Sequence, residues 1–127
     1  MIFHKMYSSP QQSHIRSIEQ SAAAQISHFM QSEFGLQAAS SRAHWTSDAL
    51  TVTLMEALTP VGQAAAQSVD GDSLLETAYD TLYYLNQSRV HALISQVVGQ
   101  NVQRSSIEID AKTSKFKLTF YFREMGG

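Results

Sequence analysis

Strict alternation in the closing segment "KFKLTFYF" limits what this chain can become more than any other feature. Phe116, Leu118, Phe120 and Phe122 fall on one side of an extended backbone, and Lys115, Lys117, Thr119 and Tyr121 on the other. A strand written this way belongs to a sheet with one face in a core and one face in water. The same period recurs earlier, where Leu50, Val52 and Leu54 alternate with Thr51 and Thr53. Residues 41 to 46 supply a partner strand, Ser47-Asp48-Ala49 a polar turn, and Trp45 a cover for one face of that hairpin. In "NVQRSSIEID" Val102 is out of phase with Ile107 and Ile109. Either a bulge lies near Arg104 to Ser106 or the strand starts late.

Between and before the hairpins the period changes to that of a helix. Ser9-Pro10-Gln11-Gln12 reads as a helix start, and Ile15, Ile18, Ala22, Ile26 and Phe29 continue it as one stripe to Gly35. This predicts a first helix over residues 10–34. Thr59-Pro60 begins a short alanine-rich helix by the same cap-then-proline logic. After it, Leu75, Tyr79, Leu82, Asn86, Val90, Leu93 and Val97 share one face of a long helix that Gly99 stops in the left-handed region. The expected fold is α+β, in the order α-β-β-α-α-β-β. It has an antiparallel four-stranded sheet of two hairpins, covered on one face by two long helices and one short helix. One domain spans residues 1–127, with 1–8 and 125–127 as loose ends.

Composition narrows the chemistry. With 127 residues the chain buries roughly two-thirds of its unfolded surface, and its 43% apolar content supplies a core without metals or disulfides. It contains no cysteine, which removes disulfides, thiolate metal sites and thiol nucleophiles. The amino-terminal residues carry no apolar run of signal-peptide length, and no later segment has the length of a membrane span, so a cytoplasmic protein without membrane insertion is expected. A net charge of −2 offers no overall basic field for nucleic acid.

The octet "VDGDSLLE" contains Gly71-Asp72-Ser73-Leu74, the letters around the nucleophile of one esterase class. Such a serine needs an apolar strand before it and an aspartate–histidine pair to activate it. Here an alanine-rich helix precedes it, and no D-x-x-H follows. Ser73-Leu74-Leu75-Glu76 is instead a capping box ahead of a helical stripe. Asp70 and Asp72 lack the later acids of a calcium loop, and the five histidines show no chelating spacing, so neither metal nor cofactor is expected.

"FGLQAASSRAHWTSDALTVTLMEALTPVGQA", "DGDSLLETAYDTL" and "VVGQNVQRSSIEIDAKTSKFKLTFYF" together resemble the MpsC-like family of small bacterial proteins. The likeness rests on Phe34-Gly35, Asp48 with Leu50 and Val52, Leu58-Thr59-Pro60, Gly71 with Leu74-Leu75, Gly99 with Val102, Ile109-Asp110 and the aromatic strand. Two positions depart from the family pattern: Gln37-Ala38 replaces a glycine–proline, and Gly62 replaces an acid that would complete a capping box. The resemblance implies a small cytosolic accessory protein. It is linked by association to a sodium-dependent, membrane-potential-generating system whose membrane components are tied to inorganic-carbon supply. It implies no catalytic residue.

The resulting expectation is a non-enzymatic regulatory or adaptor protein that binds another protein, such as a transport component or a soluble factor. The expected contact residues are the outer face of the first hairpin and a tyrosine patch: His44, Trp45, Met55, Tyr83, Tyr84 and Arg89. A homodimer through sheet edges or through those aromatics is also compatible. The alternative is a module for RNA or a translation component, using a cationic strip of Lys115, Lys117 and Arg123. Alternating lysines on a strand equally serve to protect an edge. A hydrolase using Ser73 ranks last.

Overall fold

A computed structural model of the chain describes residues 2–122, with side chains over 13–122. Its elements are α1 (Ile2–Phe34), β1 (Ser40–Trp45), β2 (Ala49–Met55), α2 (Pro60–Ala66), α3 (Gly71–Leu85), α4 (Gln87–Val98), β3 (Arg104–Asp110) and β4 (Lys115–Tyr121). The α+β class and element order follow the sequence patterns, and the second long helix is divided in two. The expected end at residues 125–127 lies outside the described residues.

The hairpins β1–β2 and β3–β4 join through their second strands, so the antiparallel sheet runs β1-β2-β4-β3. Alternation explains this order. The two strands with the most apolar inward faces take the centre, where Leu50, Val52 and Leu54 stand opposite Phe120, Leu118 and Phe116. All six side chains are fully buried. At roughly 25 cal/mol per Å² of apolar surface, such side chains each contribute about 1.5–3 kcal/mol. The more polar "SSRAHW" and "RSSIEID" are left as edges. β3 begins at Arg104, which settles the phase of Val102. The strand starts late, and the Val102 N–H donates to Ser95 Oγ at 2.9 Å.

All the helices lie on the inward face of the sheet. Helix α1 covers β1 and β2 with Ala22, Ile26 and Met30, while α3 packs on β3 and α4 on α1. Helix α1 starts upstream of the expected cap, so Ser9-Pro10 lies within it. Proline's fixed φ is itself helical, and the turn before it continues at the loss of one hydrogen bond. Helix α2 begins as expected, with Thr59 Oγ1 accepting the Gly62 N–H at 3.3 Å.

The break between α3 and α4 falls at Asn86. Its Nδ2 donates to the Leu82 carbonyl at 2.9 Å, and its own N–H bonds to Leu82 and Tyr83 carbonyls at 3.2 and 3.0 Å. The short amide thus competes with the regular ladder and bends the chain. The phase of the inward stripe differs from expectation as well. Tyr83 is fully buried, whereas Leu82 is 37% exposed.

The octet is a helix start, with a different cap from the expected one. Helix α3 begins at Gly71, after Asp70 in the left-handed region (φ 64), and Ser73 is exposed within the first turn. Glu76 does not reach back to a cap. Its Oε2 accepts the Ala111 N–H at 3.0 Å, and Asp72 meets Lys112 at 3.8 Å. The acids of the octet therefore tie α3 to the β3–β4 turn. That turn also holds the β2–α2 connection, because Ser114 accepts the Ala57 N–H on its carbonyl and the Leu58 N–H on Oγ, both at 2.8 Å.

Candidate functional site

Because every helix lies on one side, the other face of the sheet is left without a covering layer. Strand parity and register decide which side chains stand there. One cross-strand row is Arg42, Thr53, Lys117 and Glu108, and the next is His44, Thr51, Thr119 and Ser106. Thr51 and Thr119 hydroxyls lie 3.4 Å apart at its centre. Met55, Lys115 and Asp110 border one end, and Tyr121 and Arg104 the other, with the guanidinium 4.0 Å above the tyrosine ring.

The charges on this face are not those of the whole chain. Arg42, Arg104, Lys115 and Lys117 outnumber Glu108 and Asp110, in a chain of net charge −2. Lys117 pairs with Glu108 at 3.7 Å, and both groups are well exposed, so screening leaves that pair little energy. Arg42 and Lys115 form no ion pair among the described residues. With Ser40, Thr53 and Met55 they line a cleft of about 340 Å³. Glu108, Asp110, Lys115 and Lys117 line another of about 350 Å³. Chemically the face offers hydroxyl donors and acceptors, free cations and one methionine. It suits hydrogen-bonded recognition of a polar surface bearing anionic groups.

The expected contact residues do not converge. His44 and Met55 stand on the open face, and Met55 is 41% exposed. Trp45, one residue on from His44, points to the helical side. There its ring stacks on Phe122 at 5.3 Å, and the Trp45 backbone N–H donates to Glu19 Oε2 at 2.8 Å. Adjacent strand residues take opposite faces, so His44 and Trp45 cannot share one. Tyr83 is buried in the core and leaves the tyrosine patch, while Tyr84 stays exposed beside it. Arg89 lies on α4, paired with Glu33 at 2.9 Å and placed over Phe29. Of the cationic strip, Lys115 and Lys117 are on the open face, and Arg123 lies outside the described residues.

Sequence reasoning missed a polar cluster beneath the sheet. Ser105 Oγ lies 2.6 Å from Tyr83 Oη, 2.6 Å from His91 Nε2 and 3.2 Å from Gln87 Nε2. Gln87 and Tyr83 donating while Ser105 donates to a neutral His91 uses all the capacity of that hydroxyl. Burial lowers the His91 pKa and pushes Tyr83 up to about 12, so both stay uncharged. The cluster ties the edge strand β3 to α3 and α4. Its signal in the sequence was the phase of Ser105, which falls in line with Ile107 and Ile109 on the inward side. The Ser73 hydroxyl forms no hydrogen bond among the described residues.

Fold and site together define a two-layer α+β protein with a helical side and an open, hydroxyl-rich sheet face. A family model described as "Na+-translocating membrane potential-generating system (MpsC)" matches residues 14–124, and the chain belongs to this MpsC family. No curated protein and no solved structure matches it.

Proposed function

We propose that this chain is a non-enzymatic accessory component of its family's Na+-translocating system, acting in the cytoplasm by binding another protein. The uncovered sheet face carries the reading. It joins Arg42 and Lys115, which form no ion pair among the described residues, to a stripe of hydroxyls, which matches an acidic protein surface. The family description supplies the system. No helix among the described residues is long and apolar enough to cross a membrane, and in the proposed arrangement other chains supply the membrane part of the system. Binding of RNA through Lys115 and Lys117 is the second reading, favoured by the cationic surplus on the same face. The only described aromatic there, Tyr121, is already covered by Arg104.

The test is photo-crosslinking in native cells from a probe placed at Arg42 or Lys117, with the exposed Gln31 on α1 as the control position. The expected product joins the open face to a membrane component of the system. RNA adducts at those positions would favour the second reading, and adducts from Gln31 alone would overturn both.

A further inference from the structure

Helix α3 carries a second surface that neither the core nor the open face uses. Its exposed positions are Ser73, Leu74, Thr77, Ala78, Thr81, Leu82, Tyr84 and Leu85, and none is charged; Arg89, exposed in the first turn of α4, is paired with Glu33 at 2.9 Å. The acids of the helix, Asp72, Glu76 and Asp80, are half-buried on its flanks, the first two tied to the β3–β4 turn. Leu74 and Leu85 are 70% and 75% exposed, so a solvated helix face here is lined with leucine and lacks charge. Depletion of charge with retained apolar side chains marks the centre of a protein interface.

The order of residues on this face points to its occupant. Leu74, Ala78, Thr81 and Leu85 follow one another at helical spacing as large, small, small, large. Read backwards, the row is the same. A second α3 laid antiparallel sets Leu74 against Leu85 and Ala78 against Thr81 of the other copy. The small pair at the centre lets the backbones approach, and the leucines close both ends. A two-fold contact requires such a self-complementary patch, and antiparallel alignment also opposes the two helix dipoles favourably. A charged partner would be desolvated here with nothing to pair it.

We infer that the protein forms a homodimer through antiparallel packing of α3 on α3. The helix has 15 residues and spans about 22 Å. With the flanking Tyr84 and Val69 the contact buries on the order of 1,000 Å² in total, at the lower end for a specific interface. The dimer places the helical layers inward and both open sheet faces outward. It thereby presents two binding faces to one assembly.

Sedimentation over a concentration series, together with chemical crosslinking, tests this. Wild type is expected to reach twice the mass of the chain. Ala78→Arg, which buries an unpaired cation, is expected to weaken association about a hundredfold or more, and Leu85→Lys to act likewise. Both positions are exposed, so unchanged thermal melting of the monomer confirms folding. The chain has no cysteine, so Ala78→Cys and Ser47→Cys each carry a single thiol. A short bismaleimide is expected to join copies through residue 78 and not through residue 47, in the β1–β2 turn. A wild type monomeric at all concentrations overturns the inference, as does a dimer unaffected by both charged variants or crosslinked only through residue 47.

Discussion

Replacing Gly71 by alanine separates the observed start of α3 from the capping box read in the sequence. An added Cβ would lie 1.8 Å from the Ala65 carbonyl oxygen and 2.4 Å from Ser68 Oγ. Ser68 can rotate away, at the loss of its 2.6 Å hydrogen bond to the same carbonyl. The carbonyl cannot, because it belongs to the last turn of α2 and also accepts the Ser68 N–H at 3.1 Å. The α2–α3 junction must therefore open by about 1 Å or more, disturbing the fully buried Ala66. Such overpacking costs typically ~1–3 kcal/mol, and a broken hydrogen bond ~1 kcal/mol. Higher helix propensity returns up to ~1 kcal/mol. The net expectation is a loss of about 1–3 kcal/mol, or a fall in Tm of roughly 3–5 °C per kcal/mol. Urea unfolding followed by the fluorescence of Trp45, the single tryptophan, reads this as a lower midpoint at unchanged slope. Ser73→Ala is the comparison. A capping serine would cost ~1 kcal/mol, whereas an exposed one changes stability by less than ~0.5 kcal/mol. A Gly71→Ala protein as stable as wild type, with Ser73→Ala clearly weakened, would refute the steric argument and restore the capping box.

The polar cluster supports two further expectations. Tyr83→Phe removes one of the hydrogen bonds to Ser105 and leaves His91 and Gln87 on that hydroxyl. The loss should be about 0.5–1.5 kcal/mol in urea unfolding, and no change at all would mean that the 2.6 Å contact carries no energy. Burial lowers the His91 pKa in the folded state, so below the ordinary value of 6.5 the unfolded chain takes up the proton more readily. The stabilisation from a neutral His91 is present above about pH 6.5 and is lost as pH falls from there through the folded pKa. The urea midpoint should drop between neutral and mildly acid pH, and drop less in His91→Gln. Equal pH dependence in both proteins would contradict this.

Much of the architecture is legible in the sequence because it follows from periods that local backbone geometry imposes. Alternation in "KFKLTFYF" and "LTVTL" settles which side chains are buried whatever the neighbouring strand. Thr59-Pro60 and Gly99 mark helix ends by their own φ and hydrogen-bonding capacity, and Gly99 does adopt a left-handed φ of 82°. Even the separation of His44 from Trp45 was available from parity alone. Other features depended on contacts between distant residues. The pairing of β2 with β4 brings Thr53 beside Lys117, puts Arg42 in the same row and creates the open face, and no local pattern specifies which hairpin strands meet. Turning Tyr83 inward in place of Leu82 depends on Ser105, 22 residues on, which receives its hydroxyl. The cap at the octet depends on the turn at Ala111 and Lys112 competing for Glu76 and Asp72. A period states which face of an element is apolar. Only packing states what lies against that face, because the choice is made by energies shared between elements that the chain separates.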